Sequence, residues 1–136
     1  MRLNPHLTFN GECAAAFTFY EQCLHGKITV MMTYGNSPMA AQAPPGQHGK
    51  ILHATLDLGE QRLTGGDALS DDYRQPQGFS VMLQIAEAAE AERIFKALVE
   101  KGHAQVPVQE TFWALRFGML VDQFGTPWMI NCGKAT

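Results

Sequence analysis

The sequence predicts an α+β fold in which one βαβββ unit occurs twice. Each half has the same order of patterns, namely a strand, an amphipathic helix and three further strands. Gly26 and Gly102, which end the two predicted helices, are 76 residues apart, and the hairpin glycines Gly59 and Gly125 are 66 apart. The difference is expected if the loop of the first half is ten residues longer. An ordinary α+β domain with chance spacing is the alternative interpretation.

The first half begins with a strand followed by a helix. Polarity alternates over residues 3–9, and Asn10-Gly11 ends that strand. Helical spacing of apolar residues follows, at Cys13, Phe17, Tyr20 and Leu24. Gly26 is a plausible C-terminal glycine for this helix.

Three strands and a long loop complete the first half. Ile28–Thr33 is predicted to be a strand. Tyr34–Lys50 contains three prolines and three glycines and is therefore predicted to be a loop. Ile51–Leu58 and Arg62–Thr64 are predicted to be strands joined by a tight turn at Gly59-Glu60.

The second half repeats this order. Phe79–Ile85 alternates as a strand, and a helix that Gly102 closes follows, with Ala91, Phe95, Leu98 and Val99 on its apolar side. Three more strands are predicted, at Val106–Val108, Trp113–Val121 and Thr126–Asn131. On Trp113–Val121, one alternating face is apolar and is assigned to the core: Leu115, Phe117, Met119 and Val121.

Composition excludes several classes of protein. The chain has 136 residues, of which 46% are hydrophobic and 17% charged, against roughly 25% charged in an average domain. The net charge is −3 without a cluster of Lys or Arg, which excludes a nucleic-acid-binding protein. No apolar run approaches the roughly 18 residues that span a bilayer. Three widely spaced cysteines indicate reduced thiols, and we expect a cytoplasmic protein.

Four sequence blocks resemble one family: residues 4–11, 31–35, 109–114 and 122–131. Together they are similar to PhnB-like proteins of the vicinal oxygen chelate superfamily, which includes glyoxalases, bleomycin-resistance proteins and extradiol dioxygenases. The resemblance implies a single domain over residues 1–136, with module one at about 1–70 and module two at about 76–134. It also implies that the modules form a U-shaped mixed sheet around a cavity, with helices on the outer face, in a homodimer.

The resemblance also implies positions for a metal site. Enzymes of this superfamily hold a divalent ion with His, Gln or Glu from the first and last strand of each module. The corresponding positions here are Asn4, Leu63 or Thr64, Ser80 and Met129. None is a strong ligand for a hard or borderline divalent ion, so we expect the usual metal site to be absent. A register shift of one residue would expose the opposite faces instead.

The first strands of module one offer candidate pocket residues. If alternation holds, His6 faces the cavity from the first strand, and His53 and Thr55 share one face of theirs. Histidine titrates and binds metals near neutral pH, so we assign His6 and Thr55 to a pocket and His53 to catalysis. Solvent exposure or a structural hydrogen bond is the alternative for each histidine.

The block at residues 109–114 supplies further candidates. Glu110 lies beside aromatic residues that would raise its pKa, and we assign it as a general base; the alternatives are a turn cap or an ion pair with Arg116. Arg116 and Trp113 are assigned to the pocket, Arg116 to bind an anionic ligand group. A surface arginine and a core or interface tryptophan are the alternatives. Asp67, after Gly65-Gly66, is assigned to a turn, and a pocket residue is the alternative.

Two functions follow. The first is a homodimer that binds a small molecule without a metal ion or cofactor. The second is a lyase or isomerase of the glyoxalase or dioxygenase type, using a displaced metal site or acid–base chemistry at His6, His53 and Glu110. A methyltransferase is excluded because no glycine-rich strand-to-helix turn is present to hold S-adenosylmethionine.

Overall fold

The computed structural model describes residues 1–69 and 73–134 of the chain. The chain divides into two compact units, Met1–Arg74 and Gln75–Thr136. Within the part of the chain that is described, no helix is both long and apolar enough to cross a membrane.

The first unit is a four-stranded sheet with one helix. Its elements are β1 (His6–Phe9), α1 (Cys13–Leu24), β2 (Lys27–Thr33), a short 3₁₀ turn (Ala40–Gln42), β3 (Ile51–Asp57) and β4 (Arg62–Asp67). The strand order is β1-β4-β3-β2, with β1 parallel to β4 and the other pairs antiparallel. This is the predicted strand–helix–three-strand unit.

The second unit repeats that topology. Its elements are β5 (Val81–Gln84), α2 (Ala88–Leu98), β6 (His103–Gln109), β7 (Ala114–Val121) and β8 (Pro127–Gly133). The strand order is β5-β8-β7-β6, and β5 is parallel to β8. The predicted α+β class with two βαβββ modules is therefore confirmed.

Two strand boundaries differ from the prediction for physical reasons. β1 begins at His6 rather than at residue 3, directly after Pro5, which has no N–H to give to a ladder. β4 continues past Thr64, because Gly65 and Gly66 pair with Leu7 and Thr8 of β1. Glycines that suggested a turn therefore lie inside a strand.

The end of α1 also differs from the prediction. His25, not Gly26, has the left-handed conformation after the helix, with φ 53°. Gly26 is needed for another reason: a Cβ there would lie 2.7 Å from Leu58 Cδ2 and 2.9 Å from the Asp57 carbonyl oxygen. The glycine lets the chain leave the helix against β3.

The core of the first unit lies between α1 and one face of the sheet. Its buried side chains include Leu7, Phe9, Phe17, Tyr20, Ala54, Leu56 and Leu63. Burial of each large apolar side chain contributes about 1.5–3 kcal/mol. Gly65 permits this packing, since a Cβ there would lie 2.6 Å from the Phe17 ring.

Asp67 is not a turn residue, and that prediction is wrong. It ends β4, is 5% exposed, and accepts three backbone hydrogen bonds. Oδ1 accepts from Gly11 N and Cys13 N at 3.0 Å each, and Oδ2 accepts from Ile51 N at 2.8 Å. The carboxylate thus fixes the start of α1 to β3 and β4.

The core assignment of Leu115, Phe117, Met119 and Val121 is also wrong. The fully buried side chains of β7 are Ala114 and Leu120, whereas Leu115 is 39% exposed. Helix α2 packs on the face of β7 that carries the small residues Ala114 and Gly118. A Cβ added at Gly118 would lie 2.6 Å from the Phe95 ring of α2. The apolar residues lie on the opposite face of the sheet. We call the face opposite each helix the open face of that unit.

Candidate functional site

Four polar side chains meet on the open face of the first unit, and we call them the imidazole cluster: His6, His53, Thr55 and Thr64. His6 Nδ1 lies 2.8 Å from Thr64 Oγ1, and His53 Nε2 lies 3.1 Å from Thr55 Oγ1. The two imidazole rings are nearly parallel, 16° apart, with centroids 6.4 Å apart. Strand pairing explains the arrangement, because His6 is opposite Thr64 and Thr64 is opposite Thr55.

The hydrogen bonds of Thr64 favour one tautomer of His6. The Thr64 hydroxyl donates its one proton to the Pro5 carbonyl oxygen at 3.1 Å. With the hydroxyl donating to Pro5, its contact with His6 Nδ1 is satisfied when the imidazole donates, and this tautomer has a free lone pair on Nε2. Burial, and secondly the neighbouring His53, lower the pKa of His6 below its ordinary value of 6.5. The lowered pKa favours the neutral imidazole at pH 7, and the tautomer that Thr64 favours makes Nε2 its basic nitrogen.

The imidazole cluster does not fit the divalent metal site that the resemblance implies. Its donors are two imidazoles and two hydroxyls, without the carboxylate that such an ion favours. Across residues 1–69 and 73–134, no group of three or more His, Cys, Asp or Glu side chains is placed to hold a metal ion. We therefore derive no chemistry through a metal at this face.

The positions that the resemblance implies for metal ligands lie in different environments. Asn4 precedes β1 and is exposed, and Leu63 is 3% exposed in the core under α1. Thr64 belongs to the imidazole cluster. Ser80 and Met129 lie in the second unit, where both line a cavity.

That cavity has a volume of about 650 Å³ and lies against the open face of the second unit. Met119 and Val121 of β7 and Met129 of β8 contribute from the sheet. The rest of the lining comes from the segment before β5, from β6 and from the start of β8: Gln75, Pro76, Gln77, Gly78, Phe79, Ser80, Gln105 and Pro127. The volume is in the range of pockets that hold organic ligands, roughly 300–1,000 Å³.

Sequence reasoning did not assign Met119 and Val121 to this cavity, because it placed them in the core. The signal that could have located it is on the opposite face of β7. Ala114 and Gly118 are small residues on one face, and small residues mark the side of a sheet on which a helix can pack closely. The larger apolar side chains must then lie on the side away from the helix.

The three candidates between residues 110 and 116 have other partners. Glu110 forms an ion pair with Lys134, Nζ to Oε2 3.2 Å, rather than with Arg116. Arg116 Nε donates to Glu92 Oε1 of α2 at 2.6 Å, and Glu92 raises the pKa of Arg116. The guanidinium charge is therefore already matched by a carboxylate of the same unit.

Trp113 belongs to an aromatic group at the start of β7. Its ring lies edge-on to Phe112 at 4.8 Å and to Phe117 at 5.1 Å between centroids. Trp113 is 46% exposed and Phe112 is 88% exposed.

Of the six predicted site residues, His6, His53 and Thr55 are brought together in the first unit. Glu110, Trp113 and Arg116 lie in the second unit, outside its cavity.

Comparison with known proteins assigns the chain to a family. A family model described as 3-demethylubiquinone-9 3-methyltransferase matches residues 1–131. Protein YjdN of Escherichia coli K12 is 32% identical over 142 residues, which cover 98% of this chain and 97% of that protein. The crystal structure of protein PA1353 from Pseudomonas aeruginosa is 40% identical, covers 99% of both chains and superposes with a TM-score of 0.88.

More distant structures share the fold. A PhnB protein from Bacillus cereus is 21% identical, with a TM-score of 0.81 over 98% of this chain and 100% of that one. A bleomycin-binding protein from Streptomyces verticillus, complexed with copper(II)-bleomycin, is 16% identical, with a TM-score of 0.61 over 98% and 97% of the two chains.

Proposed function

The chain belongs to this PhnB-like family, which has the glyoxalase/bleomycin resistance fold, and on that premise we propose that it binds a small organic molecule without a metal ion, as a homodimer. The observation that carries the proposal is the cavity of about 650 Å³ on the open face of the second unit. Its lining combines apolar side chains with the amides of three glutamines, which is the usual composition of an organic ligand site.

Two further observations support the proposal. The imidazole cluster lacks the donors of the superfamily's divalent metal site, so binding through such an ion is not expected at that face. The same fold is seen with copper(II)-bleomycin in the Streptomyces verticillus protein, so a βαβββ pair is compatible with a small-molecule site.

The homodimer is supported by large apolar side chains that the single chain leaves exposed. Phe112, Trp113 and Leu115 are neighbours along the chain, at the start of β7 or just before it, and all are exposed. Exposed apolar groups of this size commonly mark an interface. Light scattering is expected to give about twice the chain mass of 15.0 kDa, and Phe112→Asp is expected to lower it; a wild-type mass of one chain would contradict the dimer.

Native mass spectrometry of the freshly purified protein tests the binding site. We expect an organic adduct on the wild type, held by the apolar and amide groups of the cavity lining. Val121→Trp should remove the adduct by filling the cavity. Gln109→Trp is the matched control, since it adds the same side chain at an exposed position of the second unit outside the cavity.

Two results would contradict the proposal. One concerns the adduct: Val121→Trp retains it as fully as Gln109→Trp, or the wild type carries none. The other is one equivalent of nickel, zinc, manganese or iron per chain by elemental analysis.

The imidazole cluster favours a second candidate function, acid–base catalysis next to a carbonyl group. His6 Nε2 is a free basic nitrogen, and the lowered pKa keeps it unprotonated at neutral pH. A base of this kind removes a proton from the carbon beside a carbonyl, as a lyase or isomerase requires. Hydroxyacetone in D₂O should then exchange that hydrogen for deuterium, and His6→Gln or His53→Gln should abolish the exchange.

Absence of exchange with the wild type would reject this second function and leave ligand binding standing. Glu110→Gln is a third variant, and it tests the predicted role of Glu110 as a base. In the structure, Glu110 is paired with Lys134 of the second unit. Loss of exchange in Glu110→Gln would support its predicted role as a base, and unchanged exchange would reject that role.

We do not propose methyl transfer, although the matching family model is described by that activity. The connection from β1 to α1 contains one glycine, Gly11, and the connection from β5 to α2 contains none. A site for S-adenosylmethionine usually needs a glycine-rich turn at such a connection.

A further inference from the structure

We infer that the ligand of the second-unit cavity is electrically neutral, with a flat apolar body and a polar group of the carboxamide or hydroxyl type. The inference rests on the proposed function and names the class of molecule that the site takes. It is carried by the chemistry of the cavity lining.

The described residues that line the cavity include no Asp, Glu, Lys, Arg or His. A charged group held against this lining would lose part of its hydration without gaining a counter-ion from the described lining residues, which is unfavourable. A phosphonate, a carboxylate or an ammonium ion is therefore disfavoured against a neutral molecule of the same shape.

Three charged or titratable residues beside the lining in sequence do not themselves line the cavity. Arg74, directly before Gln75, is exposed, and its Nη1 donates to the Tyr73 carbonyl oxygen at 2.9 Å. Asp122 follows Val121 but is 4% exposed, and its carboxylate accepts hydrogen bonds from Phe124 N, Thr126 N and Trp128 Nε1 at 2.8–3.1 Å. His103, two residues before Gln105 on β6, is exposed and does not line the cavity.

The polar groups of the lining are uncharged and bifunctional. Gln75, Gln77 and Gln105 each carry an amide that donates two hydrogen bonds and accepts others, and Ser80 adds a hydroxyl. These amides and the hydroxyl match a ligand group that both donates and accepts hydrogen bonds. They offer no fixed charge to an ion.

The apolar part of the lining favours a flat ring. Met119 and Met129 come from adjacent strands and pair directly across the β7–β8 ladder. Phe79 and two prolines complete the apolar surface. Thioether sulfurs make favourable contacts with aromatic rings, about 0.3–1.5 kcal/mol each, and adapt to their shape.

Three probes with one ring system and different charges test the inference: 2-naphthamide, 2-naphthoate and 2-naphthylmethylammonium. We expect calorimetric titration of the full chain at about 0.1 M salt to give at least about tenfold tighter binding of the amide than of either ion, a difference of about 1.4 kcal/mol. Val121→Trp should abolish binding of the amide, which places the probe in the cavity.

A charged side chain in place of a lining glutamine should then change the relative affinities of the three probes. Gln105→Lys is expected to raise the affinity for 2-naphthoate severalfold, and Gln105→Glu to raise that for the ammonium probe. Gln109→Lys is the matched control, because Gln109 is an exposed glutamine of the same strand outside the cavity. A charge more than about 10 Å from the probe is largely screened at this salt concentration.

The outcomes separate the two proposals. Failure of all three probes to bind contradicts the cavity as a ligand site, and with it the proposed function. Tighter binding of 2-naphthoate or of the ammonium probe to the wild type contradicts the neutral class alone. Equal effects of Gln105→Lys and Gln109→Lys would show that the probe binds elsewhere, and would also contradict the inference.

Discussion

The hydroxyl of Thr64 influences which ring nitrogen of His6 carries the proton. When Thr64 donates to Pro5, it accepts from His6 Nδ1, which places the proton of His6 on Nδ1 and leaves Nε2 basic. Sequence alternation was sufficient to predict that His6, His53 and Thr55 share a surface. It could not identify Thr64 as their partner, because that contact depends on the parallel register of β1 and β4.

The titration of His6 is the prediction at this scale. Burial, more than the neighbouring His53, lowers its pKa, so its midpoint in wild type should lie below 6.5 in a ¹H NMR titration of the ring protons. His53→Gln should raise the midpoint, but not to 6.5, since burial remains. A wild-type midpoint at or above 6.5 would contradict this description of the cluster.

The same shift has a consequence for stability. The unfolded chain takes up the His6 proton at about its ordinary pKa, whereas the folded chain does so only at lower pH. Between these values the unfolded state binds more protons, so this group makes stability fall as pH decreases through 6.5. Above that pH, His6 is neutral in both states and makes no such contribution.

At the scale of elements, β7 shows what alternation predicts and what it leaves open. The pattern correctly indicated a strand with one apolar face, but it did not tell which face the helix covers. The helix needs close approach, which Gly118 allows and a larger residue would prevent. The more apolar face is therefore the open one, and its Met119 and Val121 line the cavity.

Gly118→Ala tests this packing. The added Cβ would lie 2.6 Å from the Phe95 ring, so we expect a loss of about 1–3 kcal/mol in the free energy of unfolding, measured with urea. Gly133→Ala, at the end of β8 with no atom within 4 Å of an added Cβ, should change stability by less than about 0.5 kcal/mol.

A second substitution, Phe95→Leu, tests the same contact. Phe95→Leu removes the ring that the new methyl group meets, so the double variant should lose less than the sum of the two single losses. Additive losses, or equal losses for Gly118→Ala and Gly133→Ala, would show that α2 does not pack on Gly118 as described.

At the scale of the whole molecule, hydropathy order and glycine spacing were sufficient to predict two βαβββ modules, since each pattern extends over a complete element. The site was harder to predict. Glu110 pairs with Lys134, and Arg116 pairs with Glu92 of the helix, which are contacts between residues 24 positions apart in the chain. Such partners follow from packing and cannot be inferred from local spacing.

The most direct test of a metal-free ligand site in the second unit uses methionine methyl groups labelled with ¹³C. Met119 and Met129 line the cavity, whereas Met32 lies on β2 opposite His53 in the first unit. Titration with 2-naphthamide in the presence of EDTA is predicted to shift the methyl signals of Met119 and Met129 and to leave Met32 unchanged. Shifts at Met32 alone, or shifts that EDTA abolishes and a divalent metal restores, would contradict a metal-free ligand site in the second unit.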